Sequence, residues 1–483
     1  MRLDRRLALG AIFVLGSGLR AYQLNRQSLW IDELEEGHSA RAALPQLLAY
    51  VRADAGGTPL DYLGVKLTTS VFGAGTVGTR LWAFTMGCVA IVLIYLVATA
   101  WFKSSVAGLA AALLLALSPF HIYYSQEARP YALSVVALLA LLLLFHHALG
   151  QRDWAGWLLF GAGLGIALYA HYFLAVIVVP AGLTLAACRA REWRQSGPEA
   201  LKFVTGVALA ALIFSPWVLY SSLGQLRDLG WPPPPPLDAH RVFQVFDTLL
   251  GLGPLGLAQA PSGNFGPVHK REVLLTVGVL LGAAAGLVLE LRKGRYLVLL
   301  AAMIPLLAIP LAWTADQRQH YFWSERQVIF VLPCLYLLAA AGAGRLASLR
   351  IAARPALAGA TTALVVWGAL SVGPIEKIYA GQWLPKADWR AASAFAASVT
   401  RPDTRVYSFL NQQFAFGVAY YQPQLEHRGH AVDISLQGLS AVELRPDDIV
   451  VAQPDAAVAE LMASRSFSYR DFPGGIRLYF RPV

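Results

Sequence analysis

The sequence predicts a polytopic α-helical membrane protein with a small soluble α/β domain at its C-terminal end, and three observations carry that prediction. Of 483 residues, 57% are hydrophobic and only 14% charged, far from the balance of a soluble globular chain. Apolar runs long enough to cross a bilayer recur from residue 7 to residue 373. After Pro374 the apolar excess ends, and short alternating and helical patterns take over.

The apolar runs fall at 7–24, 78–101, 105–122, 130–149, 154–170, 173–188, 201–220, 273–291, 295–313, 327–344 and 352–373, about eleven spans within a range of ten to twelve. The first has a basic flank, but no small-residue cleavage site precedes the charged WIDELEEG segment, so it reads as an uncleaved span. Cationic loops resist translocation. With Met1 in the cytoplasm, the inner segments hold fifteen basic residues, among them Arg2, Lys103, Arg152, Arg189, Lys202, Arg292 and Arg345, against five acidic ones. That difference is the whole net charge of +10, so the basic balance reports topology and not nucleic-acid binding. Cys88, Cys188 and Cys334 all lie within spans, where they read as packing residues and not as a disulfide framework.

Four segments face outward on this topology. The first, 25–77, contains LWIDELEEGHSA from Leu29 to Ala40 and then GGTPLDYLGVKL. Apolar positions Ile31, Leu34, Leu44, Leu47, Leu48 and Val51 predict amphipathic helices lying in the membrane interface. The second is the turn within YYSQEARPYAL, Tyr123 to Leu133. The third, 221–272, carries Trp231 and the run Pro232–Pro236, an extended stretch that reads either as a stiff spacer or as a rim over a lipid cleft. The fourth, TADQRQHYFWSERQ, concentrates Arg318, His320, Tyr321, Trp323 and Arg326. Such a loop suits a phosphate at the membrane surface, and it equally suits an aromatic belt with snorkelling arginines.

Residues 1–374 therefore form the membrane domain and 375–483 a soluble domain, outside the cytoplasm for an odd number of spans. In that tail WRAASAFAASV predicts a helix, TRVYSFL a strand, DDIVVA a strand, DAAVAELMAS a helix and GIRLYFRP a closing strand, with no Walker or GxGxxG pattern.

Carboxylates beside lipid are expensive unless paired, hydrated or functional. Asp32 and Glu36 share a helix face while Glu33 points elsewhere, and crowding of like charges raises a carboxylate's pKa toward the range useful for a general base. Glu127 stands at the junction of two apolar runs, with Arg129 two residues on and Tyr123, Tyr124 and Tyr131 around it. Residues two apart on a helix do not face each other, so each is expected to reach a partner elsewhere: Glu127 an acceptor or cation, Arg129 a phosphate. Tyr169, His171 and Tyr172 form a third polar point, and Lys66, Lys270 and Arg271 are further outward cations. No HExxH or CxxC occurs. A divalent cation fits only if the fold unites acids such as Asp32 and Glu127, and no cofactor is assigned.

LWIDELEEG, GGTPLDYLGVKL, SPFHIYYSQEARPYAL, LYAHYFLAVIVVP and SERQVIFVLPCLYLLAA together resemble the bacterial GT-C glycosyltransferases, in particular the RgtA/B/C/D-like group, kin to protein mannosyltransferases and the lipid A aminoarabinose transferase. The resemblance spans most of residues 1–350 and implies a multi-pass protein of the bacterial cytoplasmic membrane. It implies an enzyme that takes a sugar from a polyprenyl-phosphate donor and gives it to a glycan, lipid or protein acceptor on the outer face in one inverting displacement. On this resemblance Asp32 is the base and Glu33 its companion, while Arg129 and one of Arg318 or Arg326 answer the leaving phosphate. Glu127, Tyr124, Tyr131, Asp61, His171, Tyr172 and His320 complete the candidate substrate-binding set. Gly57 and Thr58 depart from the His-Pro usual in the group. A rival reading is a transporter or flippase of a lipid-linked sugar with the acids as a proton relay, but the chain lacks the internal repeat such proteins carry. A third, a receptor or assembly subunit built on the tail, leaves both acidic motifs without a role.

Overall fold

The computed structural model describes the chain apart from residues 1–4, 54–56, 191–196, 226–232, 252–269, 321–322, 349–353, 384–385, 402–403, 410–416, 419, 423–431, 435 and 482–483. Trp231, Pro232 and Tyr321 thus lie outside the described residues. In chain order the helices are α1 (Arg5–Ala21), α2 (Ile31–Arg41), α3 (Leu44–Ala53), α4 (Pro59–Phe72), α5 (Thr76–Phe102), α6 (Ser105–Ala116), α7 (Pro119–Tyr124), α8 (Tyr131–Gln151), α9 (Trp154–Leu168), α10 (Val178–Arg189), α11 (Gly197–Gln225), α12 (Ala239–Gly251), α13 (Lys270–Leu291), α14 (Leu297–Gln319), α15 (Leu332–Ser348), α16 (Arg354–Tyr379), α17 (Trp389–Val399), α18 (Leu436–Ala441) and α19 (Ala456–Ser464). Single 3-10 segments, Tyr172–Ile177 and Glu325–Val331, lead into α10 and α15. The strands are β1 (Val406–Phe409), β2 (Val432–Ile434), β3 (Ile449–Ala452), β4 (Ser468–Phe472) and β5 (Ile476–Phe480).

Among the described residues seven helices are long and apolar enough to cross a membrane: Thr76–Phe102, Tyr131–Gln151, Tyr172–Arg189, Gly197–Ser221, Val273–Leu291, Leu297–Arg318 and Glu325–Gly344. Two of the apolar runs become shorter helices, α6 and α9. The run 105–122 is broken because Pro119 disfavours helix at the residue before it. The Ser118 hydroxyl accepts instead from the His121 amide and starts α7 afresh.

The chain divides into two compact units. One comprises Met1–Tyr22, Leu44–Gly64 and Arg80–Ile378, and the other Gln23–Ala43, Val65–Thr79 and Tyr379–Val483.

In the first unit helices approach closely where glycine removes the side chain, as small residues allow in membranes. A Cβ on Gly161 of α9 would lie 2.1 Å from the Gly206 carbonyl oxygen of α11, and one on Gly286 of α13 would lie 1.9 Å from the Leu338 carbonyl oxygen of α15. The proline run is strapped to α14. Trp313 Nε1 donates to the Pro235 carbonyl at 3.0 Å and Gln317 Nε2 to that of Pro234 at 3.4 Å, using acceptors that an extended proline backbone leaves unpaired.

The second unit is built on a five-stranded sheet in the order β2-β1-β3-β5-β4, parallel across β2-β1-β3 and antiparallel across β3-β5-β4. Alternation divides its residues between two cores. Val406, Ile449, Val451, Ile476 and Leu478 pack with Trp389, Ala392 and Ala396 of α17. Tyr407, Val450, Ala452 and Tyr479 pack with Val458 and Met462 of α19. The first of these cores also contains Leu29 and Leu34 from the acidic loop, both fully buried. The apolar residues of that loop therefore part company. Leu34 of α2 enters the sheet core, whereas Leu47 and Val51 of α3 pack with Tyr62 and Trp217 in the membrane unit.

Two outcomes are expected in detergent-solubilised protein. Gly161→Ala should cost about 1–3 kcal/mol through overpacking, while Gly10→Ala, where a Cβ meets nothing within 4 Å, should melt like the parent. Equal melting of both would refute the close-packing role. Leu34→Ala should destabilise by about 2–5 kcal/mol, and near-neutral thermal unfolding would show that this side chain does not build the sheet core.

Candidate active site

The candidate residues fall in both units: Asp32 and Glu33 in the sheet-containing unit, and Asp61, Tyr124, Glu127, Arg129, Tyr131, His171, Tyr172, Arg318, His320 and Arg326 in the membrane unit.

In the sheet-containing unit α2 is fixed at both ends. The Glu33 carboxylate accepts from the Trp30 amide at 3.3 Å, one half of a capping box, and from Lys386 Nζ at 2.8 Å, both side chains being buried. At the other end Lys66 Nζ donates to the carbonyls of Ala40 and Ala42 at 3.0 and 2.6 Å, a cation where the helix dipole favours one. The segment leading into α2 is held by Tyr421, whose hydroxyl accepts from the Leu29 amide at 2.8 Å. Arg41 stacks 4.0 Å from the centre of the Tyr420 ring. Of the four acids, Glu33 and Glu36 are buried, whereas Asp32 and Glu35 are half-buried. Asp32 is thus an accessible carboxylate on a helix turn whose neighbour Glu33 is committed to Lys386.

In the membrane unit the segment after α7 is not helical. The Arg129 amide donates to the Glu127 carbonyl at 2.8 Å, a three-residue turn, so the helical spacing used above to separate these two side chains does not apply. Glu127 is buried and Arg129 half-buried. The Tyr124 ring packs 4.7, 5.0 and 4.9 Å from those of Phe120, Tyr123 and Tyr131, and the Arg326 guanidinium stands 5.6 Å from the Tyr131 ring centre. Burial raises the Tyr124 phenol well above its ordinary range. The Glu127 charge adds to the rise, Arg326 opposes it, and Tyr131 and Glu325 contribute smaller rises. These groups therefore converge on one point.

His171 lies beside them. Burial, helped by the positive charge of Arg129, lowers its pKa to about 4, so the ring is neutral at physiological pH. Its ring centre is 5.8 Å from those of Tyr172 and Phe330. The start of α4 docks on the same turn: Thr58 Oγ1 donates to the Ala170 carbonyl at 2.9 Å and the Leu60 amide to that of Tyr169 at 3.1 Å. This brings Asp61, buried in the first turn of α4, to that turn. Thr58, where the resembled group has His-Pro, makes a specific bond here.

A family model described as dolichyl-phosphate-mannose-protein mannosyltransferase matches residues 57–220, the stretch that carries Asp61, Tyr124, Glu127, Arg129, Tyr131, His171 and Tyr172. Among solved structures, ArnT from Cupriavidus metallidurans bound to undecaprenyl phosphate is similar over 98% of this chain and 97% of that one, with TM-score 0.62 and 13% identity. Its apo state gives TM-score 0.64 at the same identity and coverage. No curated protein matches in sequence. The chain is thus a helical membrane protein with an ArnT-like fold.

In the membrane unit the segment TADQRQHYFWSERQ contributes Arg326 and Glu325 to the Tyr124 cluster. Arg318 is exposed in the last turn of α14, and His320 closes that helix in the left-handed conformation with φ 48°. Glu325 and Lys386 escaped the sequence reading. Glu325 was legible beside Arg326 in SERQ, but Lys386 lies 353 positions from Glu33, and no local pattern joins them. Among the described residues no group of three His, Cys, Asp or Glu side chains is placed to hold a metal ion.

His171 gives a pH prediction. Between about pH 4 and 6.5 the unfolded chain binds a proton at this position that the folded chain does not. Its contribution to stability is therefore complete above pH 6.5, declines as pH falls toward 4, and amounts to at most about 3 kcal/mol. His171→Gln should flatten the acid side of a melting-temperature profile over that window. An unchanged slope would refute the buried neutral imidazole.

Proposed function

We propose that the protein transfers a sugar from a polyprenyl-phosphate donor to an acceptor hydroxyl at the outer face of the bacterial cytoplasmic membrane, with its N-terminus inside and the tail outside. The observation that carries this reading is the gathering of Arg129 and Arg326 with Glu127, Tyr124 and Tyr131 inside the membrane unit. A leaving phosphate needs positive charge where its own charge grows, and preorganised guanidinium groups supply it. The ArnT structure solved with undecaprenyl phosphate is of the same fold, which supports a lipid phosphate as the leaving group here.

The reaction proposed is a single inverting displacement. The acceptor oxygen attacks the anomeric carbon, its proton passes to Asp32, the bond from that carbon to the phosphate oxygen breaks, and polyprenyl phosphate departs with the electron pair. Asp32 suits the base because it is partly accessible, while Glu33, its companion, holds the helix start through Trp30 and Lys386. Arg129 and Arg326 bind the phosphate, Arg326 being preferred to the exposed Arg318. Glu127, Asp61, Tyr124, Tyr131, His171 and Tyr172 bind sugar and acceptor hydroxyls, with His171 as a neutral hydrogen-bonding group.

Asp32→Asn tests the base. Mass spectrometry of glycolipids and glycoproteins from cells with and without the gene identifies the product, and the variant should then form it about 10²–10⁴-fold more slowly, with undecaprenyl phosphate binding retained. Product formation by Asp32→Asn at the parent rate would remove Asp32 from the chemistry.

A further inference from the structure

The Glu127 turn is anchored by residues that no step above uses. Arg20, near the end of α1, is completely buried, and a guanidinium in such surroundings is costly unless its donors are satisfied. Nη1 donates to the carbonyls of Gly16 at 2.8 Å and Ala116 at 3.1 Å. Nη2 reaches the Leu115 carbonyl at 3.0 Å and His121 Nδ1 at 2.7 Å, and Nε donates to Ser125 Oγ at 3.3 Å. The planar fork of five N–H groups thus sets the positions of the α6 end, of His121 and of Ser125 at once.

A second anchor runs the opposite way. Gln126 Nε2 donates to the backbone carbonyls of Arg20 at 2.8 Å and Tyr22 at 2.7 Å, taking up acceptors that the end of α1 leaves without helical partners. There is little slack around the pair. A Cβ on Gly87 of α5 would lie 2.3 Å from Ser125 Oγ and 3.1 Å from Arg20 Cδ. Ser125 and Gln126 are the two residues immediately before Glu127, and a three-residue turn takes its direction from the chain that enters it.

We propose that Arg20 and Gln126 are positioning residues: they fix the entry to the turn so that Arg129 is held in the one geometry that binds the donor phosphate. Neither side chain acts on the substrate. The proposal rests on the donor-site reading above, and its test separates the two.

Full-length protein in lipid nanodiscs is titrated with undecaprenyl phosphate. Gln126→Ala removes both bonds, and the nearly isosteric Gln126→Glu turns an acceptor toward two carbonyls. Each should weaken binding about tenfold, the worth of one to two hydrogen bonds. In an Arg129→Gln background both substitutions should have little further effect, because a positioning residue acts through the group it positions. Parent-like binding by the Gln126 variants, or the same loss in both backgrounds, would overturn the proposal. If Arg129→Gln alone binds like the parent, the donor-site reading itself falls and takes the proposal with it. Should the Gln126 variants not fold, Arg20→Lys, which keeps the charge and loses the fork, enters the same cycle with the same expectations.

Discussion

A buried ion pair between residues 353 positions apart, Glu33 with Lys386 at 2.8 Å, governs how the acidic loop is presented. Such a pair is weak evidence of net stability, but removing one partner leaves an uncompensated buried charge at a cost of about 3–5 kcal/mol. The bond therefore specifies more than it stabilises. Through Glu33 it sets the first turn of α2, and Asp32 precedes Glu33 in that turn. The Lys66 clamp on the other end of α2 and the Tyr421 hydroxyl on the Leu29 amide complete the constraint. The half-buried carboxylate stands on a helix whose ends are not free to move.

The membrane unit meets the same difficulty, charge in apolar surroundings, by a different route. Glu127, Glu325 and Arg326 act together on one buried phenol, the rings of Phe120, Tyr123 and Tyr131 enclose it, and Arg129 bears on a histidine kept neutral by burial. Opposed charges among aromatic rings form a setting whose electrostatics are strong because water is scarce.

Much of this was legible in sequence because the relevant signals are local. Hydropathy located the long spans, and alternation located β1, β3 and β5, whose residues divide between two cores. β2 escaped because it has three residues, and β4 because SYRDF is exposed at all but its last position and shows no apolar face. The break at Ser118-Pro119 was masked by the apolar residues on both sides of it. Glu127 and Arg129 were singled out as neighbours in need of explanation, yet the turn joining them is not the helix that the spacing rule assumed. Lys386 and the partners of Arg20, about a hundred positions away, were out of reach in principle. A buried charge advertises that it needs partners, but one sequence does not say where in the chain they are.

Leu29 and Leu34 lie in the core of a sheet whose strands all come after residue 405. A ribosome makes the acidic loop, Leu29 to Ala40, long before the strands that receive it, the first of which begins at Val406. During most of synthesis those leucines have no core to enter, and Glu33 has no lysine. The loop is therefore assembled last although it is made first, and a chain released early, even with all its spans inserted, carries Asp32 on an unanchored helix. The geometry of the loop is thus settled only when the sheet that receives it has formed.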